Sequence, residues 1–299
     1  MHNTRGSLFM VIAMAAFAIE DMFVKAAAGR VAIGLILALF GLGGMLVFIL
    51  LTLKRGEKVF HPAILSRPLL LRAVCEVTGR LTFALAITLT PLSSASAILQ
   101  ATPLIAMLGA AFIFGERIGI KRWFSVVVGF LGVLMIIRPG LEGFEAASLF
   151  AVIATLGFAG RDLATRAAPP VLSNMQLGVY GFFVLMPTGL LMLLYSGEPV
   201  QLDLISSAQI IGATLFGVAA YNALTIAMRS GDVSVVSPFR YTRLLFALLV
   251  GVFVFAEKPD LITLLGSLLI VSSGGYTLLQ SRRNAAINKG ENITGDCAG

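Results

Sequence analysis

The chain carries an internal repeat at a constant offset of 141 residues. Residues 17–27 and residues 158–168 share a Phe-Ala start, an Asp, a base and an Ala-Ala end at matching positions. The same offset places Phe114-Gly115-Glu116 onto Phe255-Ala256-Glu257. A repeat this long constrains the architecture of the whole chain, because each copy must supply the same set of elements.

The composition indicates that both copies lie in a membrane. Of the 299 residues, 58% are apolar and only 12% are charged, whereas a soluble domain carries roughly 25% charged residues. So much apolar surface exceeds what a water-soluble core can bury, and the chain is predicted to be an integral membrane protein. Repeated membrane segments are typical of transporters.

The sequence lacks the residue patterns that several classes of function require. Two cysteines and two histidines, Cys75, Cys297, His2 and His61, form no metal-ligand spacing, so we expect no metal, no cofactor and no catalytic residues. The net charge of +7 reflects bases beside apolar segments, which indicates topology rather than a nucleic-acid partner. An intramembrane enzyme acting on lipid stays open as an alternative, although no histidine lies in an apolar segment.

Ten apolar segments are long enough to cross a bilayer, which takes about 20 residues each. They lie at 7–27, 31–53, 68–89, 92–114, 122–138, 147–167, 175–196, 206–228, 234–256 and 261–280. The loops on one side carry 14 bases and those on the other side carry 4, so both termini are expected in the cytoplasm. Five helices per copy invert the second copy relative to the first. We therefore predict an all-α membrane protein with two inverted five-helix repeats, at 5–140 and 146–280, and a disordered cytoplasmic tail at 284–299.

The fourth helix of each copy resembles that of a known family. In the first copy it reads Thr102-Pro103 and ends Phe114-Gly115-Glu116, and in the second copy Ser237-Pro238 and Phe255-Ala256-Glu257. This pattern resembles the EamA-type drug/metabolite transporter superfamily, and within it the YddG-type bacterial exporters of aromatic and other amino acids. The second copy departs from the pattern, since Leu244 stands at the position that matches Pro103. The resemblance implies a multi-pass exporter of small metabolites in the bacterial inner membrane.

Ionisable residues deep in a membrane are costly and indicate a function or a specific pairing. The eight expected at depth are Glu20, Asp21, Glu76, Arg80, Arg161, Asp162, Arg240 and Arg243. The repeat separates them into two groups. Asp21 with Lys25 and Asp162 with Arg166 recur in both copies at i,i+4 spacing, which favours pairs along one helix that support the scaffold. The charges without a repeat mate are the better functional candidates, because a substrate has no two-fold symmetry. The gate or coupling candidates are Glu20, Glu76, Arg80, Arg161, Asp162, Arg240 and Arg243.

Within this set we expect Glu76 and Asp162 to pair with Arg161, Arg240 and Arg243 as an inner gate. Glu76 and Arg80, also four residues apart, equally suit a structural pair within one helix. Glu20 is the candidate for proton coupling.

Polar and aromatic residues near mid-membrane are candidates for a substrate cavity. Ser96, Gln100 and Pro103 share one helix face. The predicted lining is Phe17, Thr78, Gly79, Ser96, Gln100, Phe158, Tyr221, Asn222, Ser237 and Tyr241. The alternative is that these hydroxyls bond along their own helices and that the aromatics pack, as is common in membrane helices.

A cavity with aromatics and little net charge suits amino acids, aromatic ones among them. We therefore predict a carrier that exports small metabolites by alternating access, with broad-specificity drug efflux as the alternative. Its expected partners are a small-molecule substrate and the lipid bilayer, with no nucleic acid, and it is expected to be a monomer or a weak dimer.

Overall fold

The computed structural model describes residues 2–114, 120–137, 145–197, 201–230, 237–273 and 275–276, and these residues form helices and loops without a strand. The predicted tail at 284–299 and residues 115–117 of the family motif lie outside the described part. The α-helices are α1 (His2–Ala28), α2 (Ile33–Lys54), α3 (Arg67–Leu89), α4 (Leu92–Leu99), α5 (Thr102–Phe114), α6 (Ile120–Ile137), α7 (Ser148–Arg166), α8 (Asn174–Phe183), α9 (Leu185–Ser196), α10 (Leu204–Ser230), α11 (Thr242–Phe255) and α12 (Leu261–Ser273). Short 3₁₀ helices lie at Pro62–Leu65 and Ser237–Tyr241.

Five helical stretches are long and apolar enough to cross a membrane. They are Thr4–Ala28, Ile33–Lys54, Ser148–Arg166, Asn174–Ser196 and Leu204–Arg229. Helix α3 has 23 residues but carries Arg72, Glu76 and Arg80 in its interior, so its length is sufficient while its charge content is unusual. The protein is therefore a membrane protein whose charged residues are concentrated on particular helices.

Three of the predicted spans are broken into two helical pieces. Pro103 lacks the N–H that would bond to the carbonyl of Leu99, and the hydroxyl of Thr102 donates to that carbonyl instead, at 2.6 Å. The span at 175–196 divides at Val184, shortly before Pro187, and the Thr188 hydroxyl donates to the Val184 carbonyl at 2.7 Å. The ninth span begins as the 3₁₀ turn Ser237–Tyr241. Each break lies within a helix, so the side chains on its two sides face different neighbours.

Helices of one copy pack mainly against helices of the other. Helix α1 lies along α10, and α3 lies along α7. In both cases the first helix of one copy contacts the third helix of the other. Helix α2 packs against α8 and α9, and α4 packs against α11. The interior of the bundle is thus formed largely by contacts between the two copies.

Glycines allow the closest of these crossings. A Cβ atom at Gly157 on α7 would lie 2.6 Å from the backbone nitrogen of Gly79 on α3. A Cβ atom at Gly189 on α9 would lie 2.3 Å from the backbone nitrogen of Ala38 on α2. Such small residues let membrane helices approach with their backbones in contact.

We expect Gly157→Ala to destabilise the protein by about 1–3 kcal/mol, because the added methyl forces α3 and α7 apart. Thermal unfolding of the purified protein in detergent measures the effect. The matched control is Gly29→Ala, whose methyl would meet only the Ala26 carbonyl oxygen, at 3.6 Å. Equal melting temperatures for both variants and the parent would contradict the tight crossing.

The two ends of the bundle differ in their loops. At the basic end, the loop 55–66 contacts the start of α8, since Gln176 donates to the Lys58 carbonyl at 2.7 Å. Arg229 at the end of α10 donates to Asn174 at the same end, at 2.6 Å. At the opposite end, Arg30 pairs with Asp203 at 3.1 Å. These two ends are named the basic end and the opposite end below.

Candidate functional site

Among the residues that the structure describes, the buried charges form three clusters along the bundle. Nearest the basic end, Arg161 on α7 contacts Asp162 at 3.0 Å and Glu76 on α3 at 3.4 Å. Arg240 contacts Asp162 at 2.6 Å, and Arg72 lies 3.8 Å from Glu76. All five side chains are at least nine-tenths buried. This set is called the basic-end cluster.

Two further pairs lie deeper in the bundle and are called the central pairs. Arg80 on α3 donates to Glu20 on α1 at 2.5 Å, and Arg243 on α11 donates to Asp21 on α1 at 2.6 Å. Because Glu20 and Asp21 are adjacent in sequence, their side chains leave α1 in different directions and reach different helices. The central pairs thus join α1 to both α3 and α11.

The third group, the opposite-end cluster, centres on Glu257 in the connection between α11 and α12. Lys25 pairs with Glu257 at 3.1 Å and donates to the Thr90 carbonyl at 2.9 Å. The same carboxylate accepts from the backbone N–H groups of Leu92 and Ser93, at 2.7 and 3.1 Å, and from the Ser93 hydroxyl at 2.8 Å. An acid at a helix N-terminus is favoured, so Glu257 caps α4 from the other copy.

The i,i+4 pairing predicted between Asp21 and Lys25 is wrong. Asp21 contacts Arg243, and Lys25 contacts Glu257. Side chains four residues apart share a helix face, but tertiary partners on other helices are closer here. Glu76 does not pair with Arg80 either, since Arg80 contacts Glu20 on α1, and Glu76 contacts Arg161 on α7 and Arg72 one turn earlier on α3.

The predicted inner-gate residues are brought together in part. Arg161, Asp162, Arg240 and Glu76 meet in the basic-end cluster. Arg243, which was expected there, instead belongs to the central pairs. One helical turn separates it from Arg240, which places it one layer further from the basic end.

The opposite-end cluster could have been found in the sequence from the repeat, since Glu257 matches Glu116 at the constant offset. Burial alone raises the pKa of the Glu257 carboxyl, but hydrogen bonds from Ser93 and Leu92 outweigh it and leave that pKa below its ordinary value. The folded state therefore favours the charged form of this group.

We expect Glu257→Gln to lower the thermal stability at neutral pH. A lowered pKa contributes stability above the pKa of the unfolded state, about 4.5, and loses it as the pH falls through the folded value. The difference in melting temperature between parent and variant should therefore shrink as the pH falls below about 4.5. The exposed Glu145 supplies the control, Glu145→Gln, at the same end. A difference that is constant from pH 7 to pH 4 would contradict the assignment.

A small central cavity of about 30 Å³ lies between the clusters. Its lining comprises Met14, Phe17, Arg80, Leu99, Gln100, Thr102, Pro103, Phe158, Arg161, Leu224, Arg240 and Arg243. Of the predicted cavity residues, Phe17, Gln100 and Phe158 are in this lining. The guanidinium of Arg243 lies over the Phe17 ring at 5.0 Å, and that of Arg161 over the Phe158 ring at 4.8 Å. Aromatic rings and cations thus alternate around the cavity.

A larger cavity of about 350 Å³ lies toward the basic end and is called the vestibule. Its lining comprises Arg72, Arg161, Asp162, Thr165, Arg166, Ala168, Pro170, Tyr221, Leu224, Thr225, Met228 and Arg229. It shares Arg161 and Leu224 with the central cavity. Of the predicted residues, Tyr221 lines the vestibule. A cavity of about 240 Å³ at the opposite end adjoins Glu257 and Ser93.

The remaining predicted cavity residues are not in the linings of these three cavities. Gly79 packs against Phe158, and Thr78 accepts through its backbone carbonyl from Thr82 at 2.7 Å. Ser96 is fully buried on α4. The other three are Asn222 on α10, the buried Tyr241, and Ser237, whose side chain lies outside the described part.

Comparison with known proteins assigns both halves of the chain to the same family. A model of the EamA-like transporter family matches twice, over residues 4–138 and 146–276. One solved crystal structure of a protein superposes with a TM-score of 0.69 at 19% identity, covering 94% of this chain and 98% of the other. At that identity the likeness shows a shared fold.

Three curated relatives differ in what their names state. An S-adenosylmethionine uptake transporter of Rickettsia felis is 26% identical and covers 76% of each chain. A riboflavin transporter of Vibrio cholerae is 30% identical over 62% of each chain. The pseudopaline exporter CntI of Pseudomonas aeruginosa is 25% identical over 89% of this chain and 93% of its own length.

Proposed function

The chain belongs to the EamA-like transporter family, and from that premise we propose that it is a secondary transporter that moves its substrate through the central cavity. It is a small-metabolite transporter rather than an enzyme, and a multi-pass protein of the bacterial inner membrane. The observation that carries the proposal is the central cavity itself, which lies at the meeting point of helices from both copies.

We propose ten spans in two inverted copies, with the basic end in the cytoplasm. The exchange of helix partners between the copies supports this arrangement, as does the excess of bases in the loops of the basic end. In that orientation the vestibule opens to the cytoplasm, and the opposite-end cluster closes the outer side.

Alternating access then consists of opening one charge cluster while the other is closed. In the present state, Lys25 and Glu257 tie α1, α4 and the end of α11 together. The vestibule reaches inward as far as Arg161, which also faces the central cavity. We propose that the basic-end cluster rearranges around the substrate and that the opposite-end cluster separates when the outer side opens.

Amino acids, aromatic ones among them, are the first substrates that we propose. A carboxylate suits the arginines, and an aromatic side chain suits Phe17 and Phe158. The names of the relatives support small metabolites in general and include both uptake and export. Broad drug efflux is the second candidate, supported by the apolar part of the same lining.

Uptake of labelled amino acids, aromatic and aliphatic, into proteoliposomes of the purified protein tests the proposal. Saturable uptake that unlabelled substrate suppresses is the expected result. Empty liposomes are the control. No uptake of any amino acid by folded protein would reject the amino-acid assignment, and drug-like cations would then be tested in the same vesicles.

A further inference from the structure

The wall of the central cavity is cationic. Four arginines line it, whereas their carboxylate partners Glu20, Asp21, Glu76 and Asp162 do not belong to its lining. Each carboxylate meets its arginine away from the cavity, so the guanidinium groups face the open space. A cavity lined in this way favours an anionic ligand group.

Three of these arginines keep an N–H group without a protein acceptor among the described residues. They are Nε of Arg80, Nη2 of Arg240 and Nε of Arg243. Each side chain is about nine-tenths buried or more. A buried donor without an acceptor is costly, so these guanidinium groups have hydrogen-bonding capacity that their carboxylate partners leave unused, and the same side chains line the central cavity.

The size of the cavity fits a small group of atoms. A water needs roughly 10–15 Å³ of such volume, so the 30 Å³ of the central cavity accommodates about two waters, or the two oxygens of a carboxylate. The adjoining vestibule has about 350 Å³, which lies in the range of small-molecule sites, roughly 300–1,000 Å³. A headgroup therefore fits in the central cavity, and the body of the ligand fits in the vestibule.

The vestibule has the same charge preference. Arg72, Arg161, Arg166 and Arg229 line it, and Asp162 is the one carboxylate in that lining. Where the vestibule meets the central cavity, the guanidinium carbons of Arg161 and Arg80 lie 4.8 and 5.9 Å from the centre of the Phe158 ring. These cation–π contacts hold the guanidinium planes in place and offer a flat surface to a ring.

We propose that the transported substrate carries an oxyanion headgroup, a carboxylate or a phosphate, which binds to the guanidinium groups of Arg80, Arg240 and Arg243. A planar part of the substrate lies toward Phe158 and the vestibule. The proposal rests on the proposed transport function and assigns the chemical class of its substrate. It also gives three arginines of the charge clusters a direct role in binding.

Isothermal titration of the purified protein in detergent tests this with four probes of similar shape. They are 3-phenylpropionate, phenyl phosphate, the neutral 3-phenylpropanamide and the zwitterion phenylalanine. We expect the carboxylate or the phosphate to bind at least ten-fold more tightly than the neutral amide, since the amide oxygen lacks the negative charge that strengthens a hydrogen bond from a guanidinium. The stronger of the two anions identifies the headgroup.

The variant Arg243→Lys separates binding from folding. Lysine keeps the positive charge opposite Asp21 but replaces the several N–H groups of the guanidinium with one ammonium, so we expect the affinity for the preferred anion to fall roughly ten-fold. The matched control is Arg30→Lys, in the exposed pair with Asp203 at the opposite end, which should bind like the parent. If Arg243→Lys melts below the control, Arg80→Lys gives the same comparison at the neighbouring donor.

Equal binding of the amide and the anions would overturn the proposal, and so would the absence of anion binding by folded protein. Transport assays distinguish this from failure of the proposed function. Neutral or cationic metabolites carried without an anion preference would leave the transporter standing and reject the anion site. Anions that bind tightly but do not cross the vesicle membrane would support the site and reject transport.

Discussion

Asp162→Ala is expected to destabilise the protein by about 3–5 kcal/mol, the usual effect of removing one partner from a buried ion pair. Asp162 contacts Arg240 at 2.6 Å and Arg161 at 3.0 Å. Without its carboxylate, the remaining counter-charge of Arg161 among the described residues is Glu76, at the longer distance of 3.4 Å. The cost is large because two buried guanidinium groups lose the same counter-charge. The loss is read from thermal unfolding in detergent.

Asp203→Ala is the matched control, since Asp203 also pairs with an arginine but is about half exposed. An exposed pair contributes at most about 1 kcal/mol, so this variant should melt close to the parent. The double variant of Asp162→Ala with Arg240→Leu should recover part of the loss, because it removes one of the uncompensated charges. If Asp162→Ala were no worse than Asp203→Ala, the basic-end cluster would not be a buried counter-charge site.

In vesicles with an imposed proton gradient, Glu20→Gln is expected to abolish substrate accumulation while leaving exchange between labelled and unlabelled substrate intact. One oxygen of Glu20 meets Arg80, and the other is buried without a protein partner among the described residues. Protonation of the second oxygen would turn it into a hydrogen-bond donor and would weaken the pair with Arg80. Glutamine resembles the protonated acid in shape but cannot take up and release a proton, so it uncouples the cycle.

The readout is the ratio of internal to external substrate at steady state. For the parent this ratio should exceed one in the gradient, whereas for Glu20→Gln it should stop at one, the value at equilibration. Asp203→Asn, which removes a charge at the exposed opposite end, should accumulate like the parent. Accumulation by Glu20→Gln at the level of the parent would exclude Glu20 as the coupling group.

Most of the helical architecture follows from the distribution of apolar residues. The predicted segments 7–27 and 31–53 correspond closely to α1 and α2. The breaks within three spans were harder to predict from the sequence. A proline marks where a backbone hydrogen bond is lost, but it does not determine the angle between the two helical pieces. At Pro103 the turn is stabilised by Thr102, whose hydroxyl takes over the vacant carbonyl, and that local bond depends on the side-chain rotamer.

The candidate site was predictable in its residue types and less so in its contacts. The repeat singled out the charges without a mate, and Arg80, Arg161, Arg240 and Arg243 indeed lie around one cavity. Their partners could not be assigned from spacing, since Asp21 meets a residue 222 positions away. Such pairs depend on which helix faces which, and no periodicity within one helix contains that information.

The partner exchange between the two copies has a consequence for biosynthesis. Asp21 leaves the ribosome long before Arg243, and Glu76 precedes Arg161 by 85 positions. Until the later helices arrive, Asp21 faces the insertion machinery or lipid without its counter-charge, and Glu76 has only Arg72 of its own helix beside it. The early helices must then remain near a hydrated site or carry protonated acids until α7 and α11 are inserted. Assembly of this protein is thus ordered by electrostatics, and a chain truncated after the first copy would be left with unmatched acids for quality control to recognise.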